Sequence, residues 1–292
     1  MRWAQNLAFA GIVASLSTPA FALDAPLHSS YSANDVRIES IRARLEILVG
    51  GSNVVVDISG RPEELAAISV SPAAGVLTIQ GTRHGWRWND DDRDETHVRL
   101  TIPRGTSLTL ENDAGEATIG DTFGRLTLNV SSLDARIGSV SVADIHINGS
   151  GDISIGDVAG ALAVQIRGSG DFAARSAQSA DVSIAGSGDI AVGDVRGGLG
   201  ARIAGSGDIV VRSVNGPVNA SLMGSGDVKI GGGRAMPLKV SVLGSGDFSF
   251  DGEATDPDIS IHGSGSVSVG SYSGTLTSRG NSNLDIGKRV GN

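Results

Sequence analysis

The chain has no cysteine among its 292 residues. This excludes a disulfide framework, a thiolate metal site, a cysteine nucleophile and a lipid-modified N-terminal cysteine. Aromatic residues make up only 4%, and charged residues, at 19%, fall below the roughly 25% of an ordinary soluble domain. Basic residues are outnumbered 32 to 23, for a net charge of −9. An acidic chain of this kind is a poor partner for nucleic acid or anionic lipid. Beyond residue 22 no apolar run is long enough to cross a membrane as a helix. No Ser-His-Asp spacing, histidine cluster or phosphate-cradling loop stands out, and the glycine-rich motifs do not lead into helices. The sequence therefore names no catalytic residue, no metal ligand set and no cofactor.

Residues 1–22 read as a secretory signal peptide: Arg2 at the start, an apolar stretch over 7–16, and Ala20-Phe21-Ala22 as the cleavage site. The mature chain is then expected to begin at Leu23 without a transmembrane anchor. Loss of Arg2 leaves 22 basic and 32 acidic residues, a net −10. The product is expected to be exported, to the periplasm, the cell surface or the medium. Residues 23–35 are polar and are expected to form a flexible leader.

The N-terminal part, from residue 36 to about 112, is β-rich but irregular. Strand-like runs occur at 36–40, 45–49, 54–58, 76–80 and 98–102. The stretch from Arg61 to Ala67, with Pro62 and two glutamates at its start, reads as a short helical turn. Between the last two strands lies 82–96, which holds Trp86 and Trp88 and the acidic run from Asp90 to Glu95. The two tryptophans could make a platform for a sugar ring or a peptide, and Trp86 and Trp88 are the candidate binding residues. The plainer reading is that they cover the end or flank of the core. His84, His97 and the acidic run match no metal-ligand spacing.

What the sequence has in abundance is glycine, 42 residues of it. Much of it falls in one phrase, Gly-Ser-Gly-Asp followed by an alternating apolar run. The phrase begins at Gly149, Gly168, Gly186, Gly205, Gly224 and Gly244, and a copy at Gly263 has Ser266 in place of Asp. The steps are 19, 18, 19, 19, 20 and 19 residues. Weaker units precede it at Asp113 and Ser131, and another follows at Gly280. That makes about ten coils of 18–20 residues over 113–292. A repeat of this length is the mark of a stacked architecture.

Aligned by this phase, Ala117, Ala135, Ile153, Phe172, Ile190, Ile209, Val228, Phe248, Val267 and Leu284 share one inward position. Ile119, Ile137, Ile155, Ala174, Val192, Val211, Ile230, Phe250, Val269 and Ile286 share the next. A second strand before each phrase alternates in the same way, as Ile145/Ile147 and Val164/Ile166 illustrate. The strands are too short for a membrane barrel, which needs about 9–11 residues per span. Hairpin sandwiches would not demand the same turn in every unit. The prediction is an all-β chain: a single parallel β-helix, right-handed by the usual crossover rule, forming a rod of roughly 45 Å.

The repeated Asp residues, Asp152 to Asp247, would form a column of like charges. A pair about 4.8 Å apart in water repels by roughly 0.9 kcal/mol. The column therefore needs solvent, amide donors or cations. The calcium-binding nonapeptide spacing is absent, which favours a structural turn.

The stretch Gly51-Ser52-Asn53-Val54-Val55-Val56, the segment from Glu63-Glu64-Leu65 to Gly75-Val76-Leu77-Thr78-Ile79, and the Gly-Ser-Gly-Asp coils together resemble a known family. It is the putative auto-transporter adhesin, head GIN domain family. Ser52 stands where the label has isoleucine. The resemblance covers residue 36 to the end, 36–292, and implies a secreted β-helical protein but little chemistry. Three functions follow as expectations: a non-enzymatic adhesin or surface-binding module in the envelope, whose partner would be a cell-surface glycan or an envelope protein; a periplasmic structural or assembly protein; or a polysaccharide-acting β-helix enzyme, which would need clustered acids and bases in a groove.

Overall fold

The computed structural model describes residues 21–22, 26–81, 96–111, 114–280 and 283–290. Residues 1–20, most of the stretch expected to be a signal peptide, lie outside them, as do His84, Trp86, Trp88, the acidic run from Asp90 to Glu95, Asp113, Asn281 and Ser282.

Residues 114–290 wind as stacked parallel coils, a β-solenoid of about nine turns. Each coil places one strand on a front face and one on a back face. On the front face, Ala114–Ile119 lies in register with Ser132–Ile137, and the ladder continues through 153–155, 172–174, 190–192, 209–211, 228–230, 248–250 and 267–269. The back-face ladder runs from Arg125–Val130 and Val142–Ile147 to 258–261 and Thr277–Gly280. A short third side, seen at 157–158, 176–177, 194–195 and 213–214, closes each turn. The tenth unit of the repeat contributes the three-residue strand Leu284–Ile286 and a bridge from Tyr272 to Arg289.

Alternation decides which side chains go inside. Both aligned inward positions are buried from Ala117 to Val269, and only Leu284 and Ile286, in the last coil, are partly covered. Phe172, Phe248 and Phe250 are the bulkiest fully buried side chains. Fully covering each such aromatic stabilises the fold by about 1.5–3 kcal/mol.

The corner phrase works through backbone proximity. At Gly224, φ is +135°, and a Cβ there would sit 2.2 Å from the carbonyl oxygen of Gly205 in the coil before. At Gly207, a Cβ would sit 2.0 Å from the oxygen of Gly188. Glycine is needed at both places because the coils approach through bare backbone.

The aspartate column is bonded rather than merely solvated. The Oδ1 of each Asp accepts the backbone N–H of its counterpart one coil on, from Asp134 to Asp152, Asp171, Asp189, Asp208, Asp227 and Asp247, at 2.7–3.0 Å. Ser266 ends the column, donating both its N–H and its hydroxyl to Asp247. A hydrogen bond to a charged acceptor stabilises by about 1.5–3 kcal/mol, which exceeds the roughly 0.9 kcal/mol of repulsion per neighbouring pair. Asp189→Asn keeps an acceptor for Asp208 and removes one charge, so its melting temperature should stay close to the parent's. Asp189→Ala removes the acceptor and should cost about 1 kcal/mol. Equal losses in the two variants on thermal melting would contradict the ladder's hydrogen-bonding role.

The irregular N-terminal part continues the same sheet. Its strands extend both faces, out of chain order. On the front face, Arg42–Val49 pairs in parallel with Ala114–Ile119 on one side and with His97–Ile102 on the other. Val54–Ser59 then adds antiparallel to His97–Ile102, and Leu27–Tyr31 antiparallel to Val54–Ser59. On the back face, Asp35–Glu39 lies between Ser107–Glu111 and Val76–Gly81. Ile68–Ala73 joins Val76–Gly81 as an antiparallel strand, and Phe21–Ala22 pairs with Ile68–Ala73. The helical turn forms at Pro62–Leu65 and buries Leu65.

Residues 27–31, assigned to a flexible leader, form a strand. The segment is polar, yet its alternation turns Leu27, Ser29 and Tyr31 toward the core side and His28 and Ser30 outward. A neighbouring strand edge supplies the hydrogen-bond partners that composition alone does not reveal.

Candidate functional site

The four N-terminal front-face strands turn their outward side chains into two cross-strand rows. One row is His28, Asp57, Arg99 and Glu46, consecutive in register across the strands. The second is Ser59, His97 and Arg44, continued by Glu116 on the first coil strand, Ala114–Ile119. Along the first row Arg99 stands between the carboxylates Asp57 and Glu46, as cross-strand pairing of opposite charges favours. His28 Nδ1 meets Asp57 Oδ1. Arg99 donates from Nε and approaches with Nη2, both at 2.7 Å from the same oxygen, Oε2 of Glu46. Arg44 Nη2 lies 3.4 Å from Glu116 Oε2. Apart from Glu116, these rows, with Pro26, Leu27, Ile58 and Val98, line an open cavity of about 570 Å³.

The chain is anchored where it enters this cleft. Thr96 is buried, and its hydroxyl donates to Glu64 Oε2 at 2.6 Å. Glu64 in turn accepts from Arg61 Nε at 3.1 Å. The helical turn thus fixes the start of the strand that carries His97 and Arg99.

Two further depressions lie on the same front face. One, of about 410 Å³, runs beside Asp134, Asp152, Asp171 and Asp189 over Ser154, Ala173 and Ala191. The other, of about 480 Å³, is lined by Ala173, Ala191, Val210, Arg212 and Lys229. The aspartates there already serve the ladder.

On the third side, charge pairs link coils. Arg212 Nε donates to Asp194 Oδ1 at 2.9 Å, and the Ser213 hydroxyl donates to the same oxygen at 2.7 Å. The hydrogen bonds from Arg212 and then Ser213 hold the Asp194 carboxyl below its ordinary pKa, and the Asp194 partnership raises that of Arg212. Asp121 is likewise lowered, first by the backbone N–H of Ser139. These exposed groups stitch neighbouring coils.

Of the residues singled out from sequence, Trp86 and Trp88 lie outside the described residues. His97 falls in the cleft, while His84 and the acidic run lie outside the described residues. The coil aspartates are ladder elements. Among the described residues, no group of three or more His, Cys, Asp or Glu side chains is placed to hold a metal ion. His28, Arg44, Glu46, Asp57 and Arg99 were not foreseen as a group. They come from four strands whose spatial order differs from chain order. The only trace in the sequence is the alternation of outward charges, as in Arg42, Arg44 and Glu46.

Residues 40–233, more than half of the chain, match the family described as putative auto-transporter adhesin, head GIN domain. A comparison with curated proteins finds no match. Among solved structures, a putative adhesin from Bacteroides fragilis is similar at 14% identity and a TM-score of 0.49, covering 72% of this chain and 98% of its own. A putative adhesin from Parabacteroides distasonis is similar at 15% identity and a TM-score of 0.46, covering 84% and 96%. A protein described as a putative lipid binding protein, also from Parabacteroides distasonis, is similar at 18% identity and a TM-score of 0.45, covering 88% and 97%.

Proposed function

This chain belongs to the putative auto-transporter adhesin, head GIN domain family, and from that membership we propose that it is an exported, non-enzymatic binding module of the cell surface. The observation that carries this reading is a division of labour. The repeated aspartates and the third-side Arg175 and Arg212 are bonded from coil to coil, so the repeat serves the rod. Non-repeating charged chemistry gathers in the N-terminal cleft. A rigid rod with a distinct polar patch at one end suits display of a binding surface.

An enzyme acting on polysaccharide would use a carboxylate poised to move a proton. Asp57 and Glu46 each face a cationic or imidazole partner instead, which supports a binding role. Trp86 and Trp88 remain proposed contributors to binding, because their segment joins the chain just ahead of His97. A periplasmic structural protein would share the fold and differ in location. The reading is therefore tested by asking whether a protease added outside intact cells reaches the protein while a periplasmic marker survives.

A further inference from the structure

We propose that the N-terminal cleft is a glycan-binding site selective for neutral sugars; this rests on the binding-module reading above. Both contacts from Arg99 to Glu46 go to Oε2, so Glu46 Oε1 and Arg99 Nη1 keep capacity for a ligand. His28 meets Asp57 at Oδ1, which leaves Asp57 Oδ2. Asp57, Arg99 and Glu46 are consecutive in register on three adjacent strands. The face therefore presents acceptor, donor and acceptor in a row, over two strand spacings of about 10 Å.

The ligand class follows from what each alternative would have to break. An anionic sugar would compete with Glu46 and Asp57 for the Arg99 guanidinium and the His28 imidazole that already face them. A cationic ligand would compete with Arg99 and His28 for the carboxylates. A neutral sugar competes with neither, because each hydroxyl both donates and accepts. Vicinal hydroxyls can receive from Arg99 Nη1 while donating to Glu46 Oε1 or Asp57 Oδ2. Bonds to charged partners are the stronger kind. Pro26 and Leu27 add an apolar edge for the C–H face of a ring. The cavity of about 570 Å³ lies within the range of small-molecule sites. Its open form suits one or two residues of a longer chain.

The test uses the purified full chain on an array of immobilised oligosaccharides. Neutral probes are built of glucose, galactose, mannose and N-acetylglucosamine, and acidic probes of uronic and sialic acids. At least one neutral probe should bind, with an affinity little changed between about 0.05 and 0.5 M salt, because no net charge is neutralised. Arg99→Gln and Glu46→Ala should each weaken that binding by about tenfold or more. Arg175→Gln, in the coils, should leave it unchanged. Should Arg99→Gln fail to fold by thermal melting, Arg99→Lys keeps the charge, loses the planar fork, and should still weaken binding.

Three results would overturn the proposal: no neutral probe binds, only acidic probes bind with steep salt dependence, or neutral binding survives both cleft substitutions. Any of these in a protein that is exposed on intact cells would defeat the glycan assignment and leave the surface-module reading standing. Confinement to the periplasm would defeat that reading whatever the array shows.

Discussion

Gly224→Ala is expected to lower the melting temperature by about 6–12 °C, a loss of about 3 kcal/mol or more in a chain of this size. Two costs combine. A φ of +135° is strained for any residue with a side chain, and the new methyl group would sit 2.2 Å from the Gly205 carbonyl oxygen. That oxygen accepts the backbone N–H groups of Ser225 and Gly226, at 2.9 and 3.3 Å, so it cannot retreat without breaking the stack. Two other glycines separate the causes. Gly75 has a φ of +80° with nothing within 4 Å, so Gly75→Ala carries backbone strain alone and should cost about 1 kcal/mol. Gly232 has neither strain nor a neighbour within 4 Å, so Gly232→Ala should be nearly neutral. Calorimetry or circular dichroism on the three variants checks this order. Equal effects at Gly224 and Gly75 would show that coil proximity is not what requires glycine.

Phe248→Ala is expected to cost about 3–5 kcal/mol. Phe248 is 1% exposed and lies in register between Val228 and Val267. Those neighbours are held by their own ladders, so the space would collapse only in part. In a stack where each coil touches chiefly its neighbours, the loss should stay local. Hydrogen exchange should accelerate across 228–269 and change little in coils before residue 155. Uniform acceleration along the whole chain would instead mean that the rod melts as one cooperative unit.

The coils were legible because they repeat. Period-2 alternation identified both inward columns, and the fixed phase stacked like on like, so Ile190 could be placed above Phe172 from spacing alone. The aspartate turn was legible as structural, but its partner was not. Sequence suggested turn amides in general, whereas the acceptor reaches one coil forward, from Asp171 to Asp189. The N-terminal part was legible only as separate strands. Its order cannot be read from spacing, since His97–Ile102 inserts between Arg42–Val49 and Val54–Ser59 after a long excursion of the chain. The cleft depends on that order. Asp57, Arg99 and Glu46 become neighbours only once the inserted strand is placed, so no local motif announces them. Leu27–Tyr31 was missed for a related reason: its strand character comes from the edge it joins.

The central claim is that the rod displays its cleft outside the cell, and protease accessibility of the native protein on intact cells tests it most directly. With a periplasmic marker intact, externally added protease should remove the protein or cut it at an exposed segment. Full protection of the protein until the envelope is opened would contradict the surface reading and place the rod among periplasmic structural proteins.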